Sequence, residues 1–134
     1  MLDANTNDPL RRLLVDAAEV DRQAIAEVLE GRVSIDAGSG RLVLMPGYAP
    51  LDARRKILLV LLSRKAACLL GVADSEALTN GQLIEQTGVA PGTVAPGLKS
   101  LRELRLVGQE ANRAYYVPNA QLAAAIRFLT RQRQ

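Results

Sequence analysis

The side chains of this chain that could do chemistry are mainly cations and hydroxyls, groups that bind anions and do not by themselves break bonds. Thr93, Lys99, Ser100 and Arg102 fall in one short stretch, and Arg113 follows in the polar segment "EANRA". Lys and Arg donate to phosphate oxygens as cations, and Ser and Thr hydroxyls donate to the same oxygens. Nothing beside them suggests catalysis. There is no histidine, so the commonest general acid–base is missing. The single cysteine, Cys68, has no evident base and reads as a small buried apolar residue. One cysteine supports neither an internal disulfide nor a Cys/His metal site. The acidic residues fall singly on helical faces. The glycine-bearing "PGTVAPG" lacks the strand and the Lys-Ser/Thr pair of a phosphate loop. The expectation is a binding protein, not an enzyme, with no metal and no cofactor.

Charge is distributed unevenly. The net charge is +3 over 134 residues. Residues 1–50 hold 5 Lys/Arg against 8 Asp/Glu, and residues 118–134 hold 3 against 0. An anionic partner therefore suits the C-terminal part. The N-terminus "MLDANTNDPLRR" has no apolar signal core, and the longest strongly apolar run, "ILLVLL" from Ile57, is too short to span a bilayer. A cytoplasmic protein without a membrane segment is expected. With 49% apolar residues but only 3% aromatic, its core must be built from Leu, Val, Ile and Ala, which favours helices.

Those cations need elements to hold them. "NDPLRRLLVDAAEVDRQAIAEVLEG" reads as a helix with Asp8 as N-cap and Pro9 in its first position. Leu10, Leu13, Leu14, Ala17, Ala24, Ile25 and Val28 approximate its apolar face, and Asp21 interrupts that face, so a bend or break near Glu19–Asp21 is allowed. Gly31 is the stop. "RVSIDAGSGRLVLMP" reads as a short hairpin, turning at "DAGSG". "LDARRKILLVLLSRKAACLLG" is the strongest helix, capped by Asp52, ended by Gly71 and apolar nearly all round, so it should be central and buried. The cluster Arg54, Arg55, Lys56 at its start can either touch a phosphate backbone or solubilise the helix. "ADSEA" reads as a loop. Thr79 and Gln82 form a capping box for a short helix ending at Gly88. Leu106 and Val107 face Tyr115, Tyr116 and Val117 as a hairpin, and Asn119 caps a last helix whose apolar face is Leu122, Ala125, Ile126 and Leu129.

The stretch "GVAPGTVAPGLKSLRELRLV" is the difficult one. A helix begun at Pro91 would carry Pro96 as its sixth residue, at a cost of about 3 kcal/mol. A helix capped by Thr93 would carry Pro96 in its first turn, where the missing N–H costs little. The second arrangement is expected, with Val94, Leu98 and Leu101 inward, Leu104 at the edge, and Pro96, Lys99, Ser100 and Glu103 outward with Arg102 on the flank.

This order, carried by "LTNGQLIEQTGVAPGTVAPGLKSLRELRLV" and "RAYYVP", resembles the winged helix-turn-helix superfamily, in particular its small prokaryotic DNA-binding members, over Leu51 to Val117, about half the chain. The resemblance implies a mainly α fold with small β-hairpins (α+β). It implies a winged helix-turn-helix domain at 51–117, an N-terminal helix and hairpin at 1–50, and a C-terminal helix at 118–134 that can serve dimerisation. It further implies that the helix from Thr93 to about Leu104 lies in the DNA major groove and that the hairpin tip brings Arg113 to the backbone or minor groove. Thr93, Lys99, Ser100, Arg102 and Arg113 are then the DNA-binding residues of a homodimeric transcriptional regulator, with double-stranded DNA as partner. The sequence departs from that pattern at Ala95, Pro96 and Gly97, which have no side-chain donor, and at Glu103, which phosphate would repel. The alternative is a winged-helix protein–protein interaction module, an adaptor or assembly subunit, whose partner meets the Ala95-Pro96-Gly97 surface and the acidic N-terminal region.

Overall fold

Six consecutive residues, Ile57 to Leu62, have no solvent exposure at all. A helix apolar on every side cannot sit on a surface, so the other elements must surround it. The computed structural model describes residues 8–13 and 21–131. Among them are five α-helices and two small antiparallel two-stranded sheets, a mixed α+β fold that is mainly helical. In chain order these are α1 (Arg22–Leu29), β1 (Val33–Ile35), β2 (Leu42–Leu44), α2 (Ala53–Leu69), α3 (Asn80–Thr87), α4 (Pro91–Glu103), β3 (Gly108–Gln109), β4 (Tyr115–Tyr116) and α5 (Leu122–Thr130). The central helix is α2, and α1, α3, α4, α5, β1 and β4 all pack on it. One apolar cluster runs from Ile25 and Val33 through α2 to Leu101, Val117 and Leu129, so α1 and its hairpin share a core with everything that follows.

The helix ends follow local chemistry. Asp52 accepts from Arg55 N at 2.9 Å at the start of α2. Thr79 and Gln82 satisfy each other's backbone in the capping box that opens α3. Gly31, Gly71 and Gly88 take positive φ at or just past the ends of α1, α2 and α3. In the β1–β2 turn the Asp36 carboxylate accepts from both the amide and the hydroxyl of Ser39, at 2.8 and 2.7 Å, and these bonds hold its pKa below the usual value. Gly40, at φ +74°, lies so close to the Val72 carbonyl that a Cβ would collide with it. The turn thus docks on the chain leaving α2. Tyr48 closes the other side: its buried hydroxyl donates to Thr87 O at 2.6 Å, and burial pushes the phenol well above its ordinary pKa.

Three sequence expectations are corrected, and one contact is added that they did not include. The N-terminal helix is not continuous from Asp8. Asp8 caps a 3-10 turn over Pro9–Leu13, where Leu10 and Leu13 are exposed, and Asp21 is itself the N-cap of α1 through Ala24 N. The break falls at Asp21, within the span the sequence allowed, because Asp21 takes the cap instead of a buried face; Leu14 and Ala17 lie outside the described residues. Asn119 does not cap α5. Its Oδ1 accepts from the buried Lys65 Nζ at 2.6 Å, and Lys65 also pairs with Glu76 at 2.6 Å. A buried ammonium needs acceptors more than α5 needs a cap, and a 3-10 turn over Asn119–Gln121 precedes the helix instead. The "ADSEA" loop is followed by Leu78, fully buried and bonded on both sides of its peptide to Tyr115, so the chain entering α3 adds a bridge to the β3–β4 hairpin.

The third correction concerns the helix start. Ala90, not Thr93, is the N-cap of α4; Pro91 is its first residue and Pro96 lies inside. Pro91 has the fixed φ that suits a first position, and Thr93 N and Val94 N both donate to Ala90 O. The cost of Pro96 is softened because the carbonyl it leaves without a donor belongs to Gly92, on the solvent side of the helix. Full apolar contact from Val94, Leu98 and Leu101, all within 1% of complete burial, offsets the rest. Replacing Pro96 with Ala restores that hydrogen bond and should raise unfolding free energy by about 1–3 kcal/mol. A change under a few tenths, measured by denaturant titration, would restore Thr93 as the cap.

Candidate nucleic-acid interface

The packing of α4 on α2 decides which side chains face outward. Val94, Gly97, Leu98 and Leu101 form the inner face. A Cβ on Gly97 would stand 2.8 Å from Ile57 Cδ1, so the absent side chain is what lets the two helices approach. Gly97 is therefore a packing residue and belongs to no partner-facing surface, contrary to the expectation that grouped it with Ala95 and Pro96. The outer face carries Gly92, Thr93, Ala95, Pro96, Lys99, Arg102 and Glu103, all exposed.

Of the five candidate ligands, Lys99 and Arg102 stand together on the C-terminal half of this face. Thr93 is exposed one turn from the N-terminus of α4 and plays no capping role. Ser100 is half-buried, and its Oγ accepts from Arg54 Nη1 at 3.0 Å, which ties α4 to α2. Arg113 is exposed at the tip of the β3–β4 hairpin, with left-handed backbone at φ +67°. Its amide donates to Glu110 O at 2.9 Å, and Asn112 Oδ1 accepts from Ala114 N at 3.1 Å, so the tip is a tight bonded loop. A non-glycine residue in this conformation costs about 1–2 kcal/mol, which the loop bonds offset in part.

Lys99 and Arg102 also line an open groove of about 600 Å³ with Glu103, Arg105, Gln109 and Gln121. The structure does not bring Thr93, Ser100 or Arg113 into it. Arg105 went unnoticed in the sequence because it follows the last helical turn and carries no pattern of its own. The one signal was a basic residue in a helix-to-strand connection. Lys99, Arg102, Arg105 and Arg113 form no ion pair among the described residues, so their charges are open to an external anion.

The cations at the start of α2 are committed. Arg55 is buried, pairs with Asp52 at 2.6 Å, donates from Nε to Phe128 O at 3.1 Å and stacks 4.5 Å from the Phe128 ring. Arg54 also stacks on Phe128, and Lys56 lies over Tyr48. The Arg54-Arg55-Lys56 cluster therefore clamps α5 and the 46–48 turn onto α2 instead of facing outward as a group. Arg127 and Arg131 are exposed, and Arg133 lies outside the described residues. Among the described residues no group of three or more His, Cys, Asp or Glu could hold a metal, and no helix is long and apolar enough to cross a membrane. Replacing Arg55 with Gln should cost about 1–3 kcal/mol, since Asp52 Oδ2 and Phe128 O each lose a guanidinium donor. A variant as stable as wild type by thermal and denaturant unfolding would show that the clamp is idle. No protein-family model, curated protein or solved structure matches the chain.

Proposed function

We propose that the protein is a winged helix-turn-helix DNA-binding protein, a transcriptional regulator of the cytoplasm and not an enzyme. α4 lies in the major groove, and the β3–β4 tip places Arg113 on the backbone or in the minor groove. The fold side of this reading is supported by the order α2, α3, α4, hairpin, with Leu78 bridging to Tyr115. That order resembles the three helices and wing of the superfamily and corresponds to a domain at 51–117. The functional side rests on one observation. Lys99, Arg102 and Arg113 are exposed and without ion pairs among the described residues, while Arg54, Arg55 and Lys65 are engaged inside the chain.

Contacts made by Lys and Arg to phosphates release counterions, so binding must weaken steeply with salt. Fluorescence anisotropy with a labelled duplex should show this dependence. Lys99→Glu combined with Arg113→Glu should lower affinity at low salt by about tenfold or more. Unchanged affinity in that variant would remove α4 and the tip from the contact surface.

A second reading, a protein–protein interaction module, is favoured by β2. Val43, Leu44 and Met45 are all exposed. The register Ser34↔Val43 turns the peptide groups of Leu42 and Leu44 away from β1, and Leu42 and Leu44 line a groove with Ser63 and Arg64 of α2 and Glu85 and Gln86 of α3. Absence of salt-dependent binding to any duplex would favour this reading.

A homodimer through the C-terminal helix is part of the regulator proposal, because two copies double a small contact set. α5 already spends Leu122, Ala125 and Leu129 in the chain's own core, so the contact must use its outer residues, Ala123, Arg127 and Thr130. Sedimentation equilibrium should give twice the chain mass for wild type and a reduced mass for Ala123→Glu. A monomer at micromolar concentration would end the dimer proposal.

A further inference from the structure

The turn from α4 into β3 carries an arginine where the fold asks for glycine. α4 closes with paired bonds, Leu106 N to Leu101 O at 3.0 Å and Arg105 N to Arg102 O at 2.9 Å. This closure puts the residue between into the left-handed region, and Arg105 has φ +63°. Glycine fits there without strain. The protein uses glycine at the ends of α1, α2 and α3, as Gly31, Gly71 and Gly88. Only α4, among the described helices that end in a left-handed residue, ends in a residue with a side chain. That side chain is exposed, forms no hydrogen bond or ion pair among the described residues, and lines the groove with Lys99 and Arg102. Glu103 is the single acid of the lining, and Gln109 and Gln121 add neutral amide donors from the hairpin and the approach to α5.

We infer that this groove seats the sugar–phosphate backbone of duplex DNA, with Arg105 a phosphate ligand beside Lys99 and Arg102. The inference rests on the DNA-binding reading and specifies where the duplex lies. The N-terminal turns of α4 offer Thr93 as their only side-chain donor between Pro91 and Pro96. The contact set is therefore weighted to the C-terminal half of α4 and the base of the hairpin. Three cations against one acid match a polyanion. A competing account makes Arg105 a cation that merely complements the helix C-terminus. The two differ in sign. A structural arginine stabilises the fold, whereas a strained ligand destabilises it for the sake of binding.

The test is duplex binding by the full chain across several salt concentrations, with thermal melting in parallel, for wild type, Arg105→Gly and Arg105→Lys. Arg105→Gly should melt roughly 2–6 °C higher. It should bind roughly tenfold more weakly at low salt, with a salt slope shallower by about 0.9. Arg105→Lys should keep the wild-type slope. Arg105→Gly with wild-type affinity and slope overturns the inference, and if Lys99→Glu with Arg113→Glu still weakens binding, the DNA reading stands without it. A lower melting temperature with unchanged slope assigns Arg105 to the helix end and also overturns it. Wild type that binds no duplex in a salt-dependent way overturns the DNA reading itself.

Discussion

Burial of α2 on every side is the constraint from which the rest of the architecture follows. A helix with Ile57 to Leu62 fully excluded from water needs apolar partners around its whole circumference. α1 with β1, α3 with α4, and α5 with the second hairpin each supply a sector of that shell. Leu and Ile side chains are worth about 1.5–3 kcal/mol each on full burial, which dwarfs any single cap or surface ion pair in the chain. The polar groups that enter the shell are matched one by one. Lys65 finds Glu76 and Asn119, Arg55 finds Asp52 and the Phe128 carbonyl, and the Tyr48 hydroxyl finds Thr87. Lys65–Asn119 and Arg55–Phe128 join α2 to α5 and its approach, and Tyr48–Thr87 joins the turn before α2 to the end of α3, while Arg55–Asp52 fixes the start of α2 itself. They orient the layers while the apolar contacts hold them.

What the sequence reveals and what it hides divide along the same line. Apolar periodicity, the Asp52 cap, the Thr79–Gln82 box and the glycine stops are local signals, and α2, α3, both hairpins and α5 follow from them. The features that escape are those decided by distant partners. Asn119 looks like a cap until the buried ammonium of Lys65 takes its oxygen. Leu78 looks like the end of a loop until Tyr115 pairs with it. Pro96 argues against a helix from Pro91, yet the packing of Val94, Leu98 and Leu101 against α2 outweighs one lost bond on the solvent side. Among the candidate ligands, Lys99, Arg102 and Arg113 are exposed as their spacing implies, because each follows from helix phase or from a polar hairpin tip. Ser100 lies near the boundary of the buried face, and only the reach of Arg54 across from α2 reveals its use.

The same packing also sets which side chains α4 leaves for a partner. Its first two turns are occupied by Pro91, Gly92, Ala95 and Pro96, residues suited to starting a helix after a tight turn and to close approach, not to hydrogen bonding with base edges. Under the proposed reading, affinity must then come from phosphates, which every sequence shares, and discrimination between sequences must come from groove shape or from a second copy. The concentration of uncommitted cations at Lys99, Arg102 and Arg105, with Arg113 on the hairpin, fits such backbone tracking. Glu103 among them limits how strongly the surface holds any polyanion. Two of these arginines, Arg105 and Arg113, occupy left-handed backbone at the two ends of one short hairpin. The hairpin has only two residue pairs and could be simplified with glycine at either point at no loss of packing. Under the proposed reading, charge in both places serves binding against a modest cost in stability.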